Sequence, residues 1–341
     1  MREVVCAGCS FTNFNTLDKN MAYNGITPEV DGVKPMGSYP EAIHRNFKHK
    51  VYNLGMAGNN IATSVLSLIA TADRLLKEKK DIFLILQCTE FTRKSFYLPS
   101  NFQIRKNIGI DDAVRNNNYL FDEGGSGFFQ FGTLAGARDG FSTIESIKNI
   151  AKSYSEHAYS IEAGYIDSLT HILLLQNYCK VNKIPYKIFL KTESFSIPFH
   201  PLFNIPNYNG SNVEDIFDAI FNRKKLFRKN PLTFVNSDPY IKNLFGMLDL
   251  DNFWFLDDVD CRYGGITEWV YVRNQYNSPQ EYYIPLVVED IDEQPTKHTY
   301  QYPIQRAKDK IKAGTFDPNG HPSYYYWDLF VQNEISKWGI L

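Results

Sequence analysis

The sequence predicts an α/β protein, built on a parallel, doubly wound sheet with helices on both of its faces. Two observations indicate this class. Short apolar segments typical of strands alternate along the chain with segments whose apolar residues recur at helical spacing. One segment, 82–87, is apolar at nearly every position, as in a parallel strand that is covered on both faces. Such an alternation favours a parallel sheet, in which functional sites form at the carboxyl ends of the strands.

The first predicted elements are a strand, a helix and a second strand. The first strand covers 2–9, and Gly8 marks a sharp exit from it. Residues 13–37 are rich in asparagine, glycine and proline and are predicted as a loop. A helix begins after Ser38, which can cap it, and the segment 50–55 is predicted as the second strand.

The regular pattern continues after this strand. The clearest helix spans 60–79, and the apolar strand follows it directly. A helix near 160–182 and a strand at 186–191 repeat the pattern. The last predicted elements are a fifth strand at 248–255, a local hairpin around 270–272 and a final helix over 324–337.

Three irregular insertions interrupt this core. They lie at about 95–157, 195–240 and 260–315, and the first contains a glycine-rich loop at 124–127. We find no internal repeat and no interdomain linker, so the sequence predicts one domain over 1–341.

Composition limits the partners and the compartment of the protein. Of its 341 residues 43% are hydrophobic, enough for a substantial core, and its net charge of -2 does not favour nucleic acid or an anionic membrane. Its five cysteines, an odd number, favour a reducing compartment over a disulfide framework. No signal-peptide pattern and no membrane-spanning run occurs, so we expect cytoplasmic synthesis without secretion machinery.

Ser10 is the first candidate catalytic residue. It lies on the turn that ends the first predicted strand, in the segment Gly8-Cys9-Ser10-Phe11-Thr12. A serine hydroxyl becomes a nucleophile when an imidazole takes its proton, and folding must bring the two together. The second glycine of a Gly-x-Ser-x-Gly elbow is absent, which argues against an α/β-hydrolase.

The turn over 53–60 is a second candidate. It carries Gly58 just before a predicted helix, where backbone N–H groups can stabilise a developing oxyanion. Asn59, in the same turn, is a candidate substrate-binding residue. The alternative is a tight turn that needs its glycines only for their backbone dihedrals.

The end of the apolar strand is a third candidate. Thr89, Glu90 and Arg93 follow it, and polar side chains at this edge of a sheet can face a cleft. Arg93 could orient an anionic group or a sugar hydroxyl of a substrate. The alternative for Arg93 is an ion pair with Glu90.

A histidine near the C-terminus is the fourth candidate. His321 follows a turn and precedes the final predicted helix, in the segment Asp317-Pro318-Asn319-Gly320-His321-Pro322. An acidic side chain is thus close enough in sequence to orient the imidazole ring.

These four segments, in this order, resemble the SGNH hydrolase superfamily, also called GDSL-like esterases. The resemblance implies a three-layer flavodoxin-like core. It further implies that Ser10 is the nucleophile, that the N–H groups of Ser10 and Gly58 form the oxyanion hole, and that His321 is the general base. The resemblance covers the predicted core and not the insertions: about 2–94, 160–194, 246–256 and 316–338.

Two positions depart from the pattern of that superfamily. Its third block supplies an oxyanion-hole asparagine where this chain has Thr89, within Gln87-Cys88-Thr89-Glu90. The hydroxyl of Thr89 can donate one hydrogen bond and is our candidate for the third oxyanion donor. Its last block has an aspartate three positions before the histidine, where this chain has Pro318. Asp317 is our candidate for that role, and Asn319 or a dyad without a third residue are the alternatives.

The resemblance implies hydrolysis of a carboxylic ester without a metal or cofactor, on a small-molecule or glycan substrate. An acetyl group on a carbohydrate is the expected target, since the aromatic content is 15% and tyrosine-rich surfaces suit sugars. The chain is also similar to SGNH-like proteins encoded in phage genomes. The alternative is therefore a weakly active or inactive module on the same scaffold, virion-associated, whose aromatic insertions dock a protein partner.

A redox or zinc site is a weaker alternative. Cys6 and Cys9 form a Cys-x-x-Cys pair. Structural zinc needs four ligands, and Cys88, Cys179 and Cys261 provide no second pair. The sequence therefore predicts no metal site.

Overall fold

The computed structural model of this chain describes most of the predicted core. The described residues are 2–9, 12, 38–55, 59–91, 93–98, 127–131, 153, 157, 160–191, 194–195, 232, 234–256, 264–266, 269–270, 322 and 324–340.

The helices and strands follow the predicted alternation. The strands are β1 (Glu3–Ala7), β2 (Val51–Asn53), β3 (Ile82–Cys88), β4 (Lys94–Leu98), β5 (Gly127–Phe131), β6 (Tyr186–Leu190) and β7 (Phe253–Trp254). The α-helices are α1 (Tyr39–Phe47), α2 (Ile61–Lys77), α3 (Ile161–Asn182), α4 (Pro239–Gly246) and α5 (Tyr324–Asn333). Short 3-10 helices lie at Val235–Ser237, Leu250–Asn252 and Ile335–Trp338.

Five strands form one sheet in the order β2-β1-β3-β6-β7, and every pair in it is parallel. Within this sheet Val4 of β1 lies opposite Val51 of β2 on one side and Phe83 of β3 on the other. Numbered within this sheet alone, the order is 2-1-3-4-5, that of flavodoxin-like sheets. The predicted α/β class and the parallel sheet are confirmed.

Helices cover both faces of the sheet because side chains alternate along each strand. Val4 and Cys6 of β1 point into one hydrophobic cluster, with residues of α1 and α5. Val5 and Ala7 point into a second cluster, with residues of α2, α3 and α4. All seven residues of β3 are buried, as its continuous apolar pattern predicts.

Side-chain caps begin three of the helices. The side chain of Asn60 accepts from the N–H of Thr63 at the start of α2, and Ser160 and Asp238 cap α3 and α4 in the same way. Ser38 stands at the cap position of α1, as predicted, but its side chain accepts no capping hydrogen bond.

Helix α5 runs antiparallel to β1. Beyond its C-terminal end, Arg2 Nη1 donates to the carbonyl oxygen of Gly339 over 2.8 Å, next to the start of β1. Towards its N-terminal end, the Trp327 ring packs on Tyr39 at a centroid distance of 5.8 Å. The Tyr39 hydroxyl lies 3.5 Å from the carbonyl oxygen of Ala7, the last residue of β1. The N-terminal end of α5 therefore lies near the carboxyl end of β1.

The structure corrects the predictions inside and beside the insertions. In the first, β4 and β5 pair as a two-stranded antiparallel sheet, so Gly127 begins a strand. In the second, α4 begins at Pro239. The predicted strand 248–255 shrinks to the two residues of β7, because the residues before it form a 3-10 helix. Val270, predicted in a hairpin, has helical backbone, and most of the third insertion lies outside the described residues.

The described part of the chain contains no helix that is both long and apolar enough to cross a membrane.

Candidate functional site

A short turn follows β1. The N–H of Thr12 donates to the carbonyl oxygen of Cys9 over 2.9 Å, which closes a turn of four residues. Its central residues, Ser10 and Phe11, lie outside the described residues. Asn53, the last residue of β2, donates from Nδ2 to the carbonyl oxygen of Thr12 over 2.9 Å. The turn is thus attached to the carboxyl end of a neighbouring strand.

Gln87 attaches the same turn to β3. Its side-chain oxygen, Oε1, accepts from the N–H of Cys9, from the thiol of Cys9 and from the hydroxyl of Thr12, each over 3.2 Å. Its amide nitrogen donates to the carbonyl oxygen of Cys88 over 2.6 Å. Gln87 is fully buried, so these bonds satisfy a polar group that would otherwise be costly to bury.

Gly8 makes room for this arrangement. A Cβ atom at this position would lie 2.2 Å from Thr12 Oγ1 and 2.6 Å from Gln87 Oε1. The glycine that the sequence marks as a sharp exit from the strand is therefore required by the close approach of two polar side chains.

Asn59 joins the end of β1 to the start of α2. Its Nδ2 lies 3.3 Å from the carbonyl oxygen of Gly8 and 2.9 Å from Ser64 Oγ, and its Oδ1 accepts from the N–H of Asn60. Asn59 is fully buried. Its predicted substrate-binding role stays a prediction, and the described contacts of its side chain are structural. Gly58, next to it, lies outside the described residues.

Charged side chains surround Glu90, just beyond β3. Lys191 Nζ donates to Glu90 Oε1 over 2.8 Å, the hydroxyl of Thr89 donates to Oε2 over 2.7 Å, and Arg93 forms an ion pair with Oε2. Arg93 also donates to the carbonyl oxygen of Asn59 over 3.3 Å. The ion pair of Arg93 with Glu90, weighed from the sequence, is confirmed. The contribution of Lys191 was not predicted.

Two neighbouring cations, Arg93 and Lys191, keep the carboxyl group of Glu90 ionised. Burial opposes its ionisation, but the charges of Arg93 and Lys191, with the hydrogen bonds from Lys191 and Thr89, outweigh burial and hold the pKa of Glu90 well below its usual range. The carboxylate therefore stays ionised and connects the ends of β3 and β6.

Replacing Glu90 by glutamine is expected to destabilise the protein at neutral pH by about 1–3 kcal/mol, because two cations lose their carboxylate. A carboxylate whose pKa is lowered on folding stabilises the protein above its unfolded pKa of about 4.3, and this contribution is lost as pH falls through the folded value. Urea unfolding of both proteins at several pH values would measure the difference, which should stay constant above about pH 5 and shrink in acid.

The matched control for this variant is Glu78→Gln. Glu78 pairs with Arg74 one helical turn away, and both side chains are about half exposed. Such a pair contributes about 0.5 kcal/mol or less. An equal effect of the two variants, or a Glu90→Gln difference that does not change with pH, would contradict the assignment.

The cysteines near the site are free thiols. Cys6, Cys9 and Cys88 are buried, and burial raises the pKa of the Cys6 and Cys88 thiols. Among the described residues there is no cluster of three or more histidine, cysteine or acidic side chains that could hold a metal ion.

All of the predicted catalytic residues stay predictions. Ser10, Asp317, Asn319 and His321 lie outside the described residues, and of their neighbours Pro322 is buried. Sequence reasoning missed the two side chains that organise the described part of the site, Gln87 and Lys191. A polar residue at the end of an otherwise apolar strand was the available signal for Gln87. Nothing in the sequence indicates that Lys191 meets Glu90.

Comparisons of this chain with protein-family models, with curated proteins and with solved structures each found no match.

Proposed function

We propose that the chain is a serine acyl hydrolase of SGNH type that removes an O-acyl group, in the first place acetyl, from a carbohydrate. Ser10 attacks the ester carbonyl while His321 takes its proton and passes it to the leaving alcohol. Water, activated by the same imidazole, then releases the acid from the acyl-serine. Asp317 orients the ring, and the N–H groups of Ser10 and Gly58 stabilise the oxyanion, without a cofactor.

The position of the residues that border Ser10 and His321 is the observation that carries this proposal. Cys9, next to Ser10, belongs to the same buried cluster as Tyr326 and Trp327 at the start of α5. His321 precedes Tyr326 by five residues. Five extended residues reach at most about 18 Å. These positions are compatible with the proposed pairing of a serine from the start of the chain with a histidine from its end, and this compatibility supports the proposal.

The topology of the sheet also supports a site at the carboxyl ends of its strands. The helix that follows β1, α1, packs on one face, and the helix that leads from β3 to β6, α3, packs on the other. In open α/β sheets, ligands bind in the crevice where such helices diverge, beyond the carboxyl ends of the strands. The turn after β1 and the polar residues Gln87 and Thr89 lie at this point of the sheet.

One observation favours the alternative, an inactive binding module on the same scaffold. The hydroxyl of Thr89 donates to Glu90 and the residue is 2% exposed. To serve as the third oxyanion donor, Thr89 would have to give up this hydrogen bond. The proposed oxyanion hole therefore depends on the backbone N–H groups of Ser10 and Gly58.

A fluorophosphonate probe and an aryl acetate test the proposal. The wild-type protein is expected to be labelled and to release acetate, and the Ser10→Ala variant is expected to do neither, because the nucleophile is gone. The control is Ser336→Ala, on the 3-10 helix that follows α5, whose hydroxyl donates to the carbonyl oxygen of Gln332. It should behave as wild type.

Mass spectrometry of the labelled protein would identify the modified residue. Absence of labelling and turnover in the wild type, or equal behaviour of the wild type and Ser10→Ala, would reject the hydrolase and leave the binding module.

A further inference from the structure

We propose that Gln87 is a positioning residue, which holds the turn after β1 in the conformation that Ser10 needs to attack. This inference rests on the proposed function of Ser10 and adds a residue that acts through the backbone of the turn.

The contacts of Gln87 reach both ends of that turn. Its Oε1 accepts from the N–H and thiol of Cys9, the first residue of the turn, and from the hydroxyl of Thr12, the last. Its amide nitrogen donates to the carbonyl oxygen of Cys88, which directs Oε1 towards the turn. One buried oxygen thus bonds to the residues on either side of Ser10 and Phe11.

Gln87 stands where packing alone would favour an apolar residue. The other residues of β3 are Ile, Phe, Leu, Ile, Leu and Cys, and all seven positions are buried. Burying an amide without partners costs free energy, so a glutamine at this position needs the hydrogen bonds that the turn provides. An apolar side chain at position 87 would in turn leave the hydroxyl of Thr12 and the N–H of Cys9 without this acceptor.

Gly8 completes the arrangement, because a side chain there would occupy the space that Gln87 Oε1 and Thr12 Oγ1 fill. The turn is therefore held by contacts from β3, which lies beside β1 in the sheet. A displacement of about 1 Å of a reacting group can cost 100-fold in rate, so loosening this contact should slow the attack by Ser10.

The test compares two buried glutamines. Gln87→Met removes the acceptor at the turn. Gln176→Met removes a buried glutamine of α3 that bonds to the backbone of Asp249. Asp249 precedes β7 and therefore lies towards the amino ends of the strands, away from the turn. Both variants should lower the melting temperature, since each loses the hydrogen bonds of a buried amide.

The fluorophosphonate reaction separates a positioning role from a structural one. With rates normalised to the folded fraction, Gln87→Met should lower the first-order inactivation constant about 10- to 100-fold and leave the half-saturating probe concentration unchanged. Gln176→Met should react as wild type. Thr12→Val, which removes one of the three donors and keeps the volume, should lower the constant by a smaller factor.

Each possible result either supports or overturns the positioning role of Gln87. An inactivation constant of Gln87→Met equal to wild type, or an equal loss in Gln176→Met, overturns the positioning role while the proposed function stands. If Gln87→Met does not fold, Thr12→Val decides, and wild-type reactivity of that variant overturns the role. Absence of labelling at Ser10 in the wild type overturns both the positioning role and the proposed function.

Discussion

Alanine at Ser10, at His321 or at both positions is expected to lower the kcat of ester hydrolysis to the same residual level. The two side chains act as one unit in the proposed mechanism, because the hydroxyl attacks only while the imidazole takes its proton. The expected loss is roughly 10⁴- to 10⁶-fold, or about 5–8 kcal/mol of transition-state stabilisation. Steady-state kinetics on an aryl acetate would measure it in the two single variants and the double variant.

A second histidine provides the control. His171 lies on α3, where its Nδ1 is 2.8 Å from the carbonyl oxygen of Asp167. His171→Ala removes an imidazole that bonds only within its own helix in the described structure. It should leave kcat within about twofold of wild type. If the losses of Ser10→Ala and His321→Ala multiply in the double variant, the two residues act independently and do not share a site.

The Gly265→Ala variant is expected to lose about 3 kcal/mol of unfolding free energy, close to the limit for overpacking. A Cβ atom there would lie 2.3 Å from the carbonyl oxygen of Leu190, and 2.8 Å and 2.9 Å from the carbonyl carbons of Leu190 and Lys191. These are backbone atoms at the end of β6, and the N–H of Lys191 is bonded to the carbonyl oxygen of Cys88 in β3. The strand cannot move away without straining the sheet.

Gly246→Ala is the matched control for this variant. A Cβ atom at Gly246, the last residue of α4, would meet nothing within 4 Å. Alanine there should be neutral or stabilise by up to about 1 kcal/mol, since it restricts the unfolded chain. Urea unfolding of both variants tests the contrast. Equal stability of the two would mean that the segment around Gly265 does not pack against the end of β6.

The sequence predicted the core elements because apolar periodicity is a local signal. The repeat along α2 and the unbroken apolar segment of β3 depend on neighbours within one element, so both were located to within about two residues. The fifth strand was predicted over 248–255 because Leu248, Phe253 and Phe255 are apolar. All three are buried. Only Phe253 and Trp254 pair with β6, because a 3-10 helix lies between Leu248 and these two residues. Burial without periodicity does not distinguish a strand from a packed turn.

The antiparallel pair of β4 and β5 illustrates the opposite case. Its strands are separated by the residues between 98 and 127, and nothing local in the sequence marks their pairing. Long-range pairing of this kind depends on the registers that the rest of the fold allows.

The sequence by itself determined the alternation of strands and helices, the apolar centre of the sheet and the chemical groups available at the ends of its strands. Only the tertiary structure decided which of these groups meet. Gln87 bonds to a turn 75 to 78 residues earlier in the chain, and Glu90 pairs with Lys191, 101 residues later. The physical reason is that parallel strands adjacent in a sheet are joined by long crossovers, so their carboxyl ends become neighbours through strand order and not through closeness in sequence.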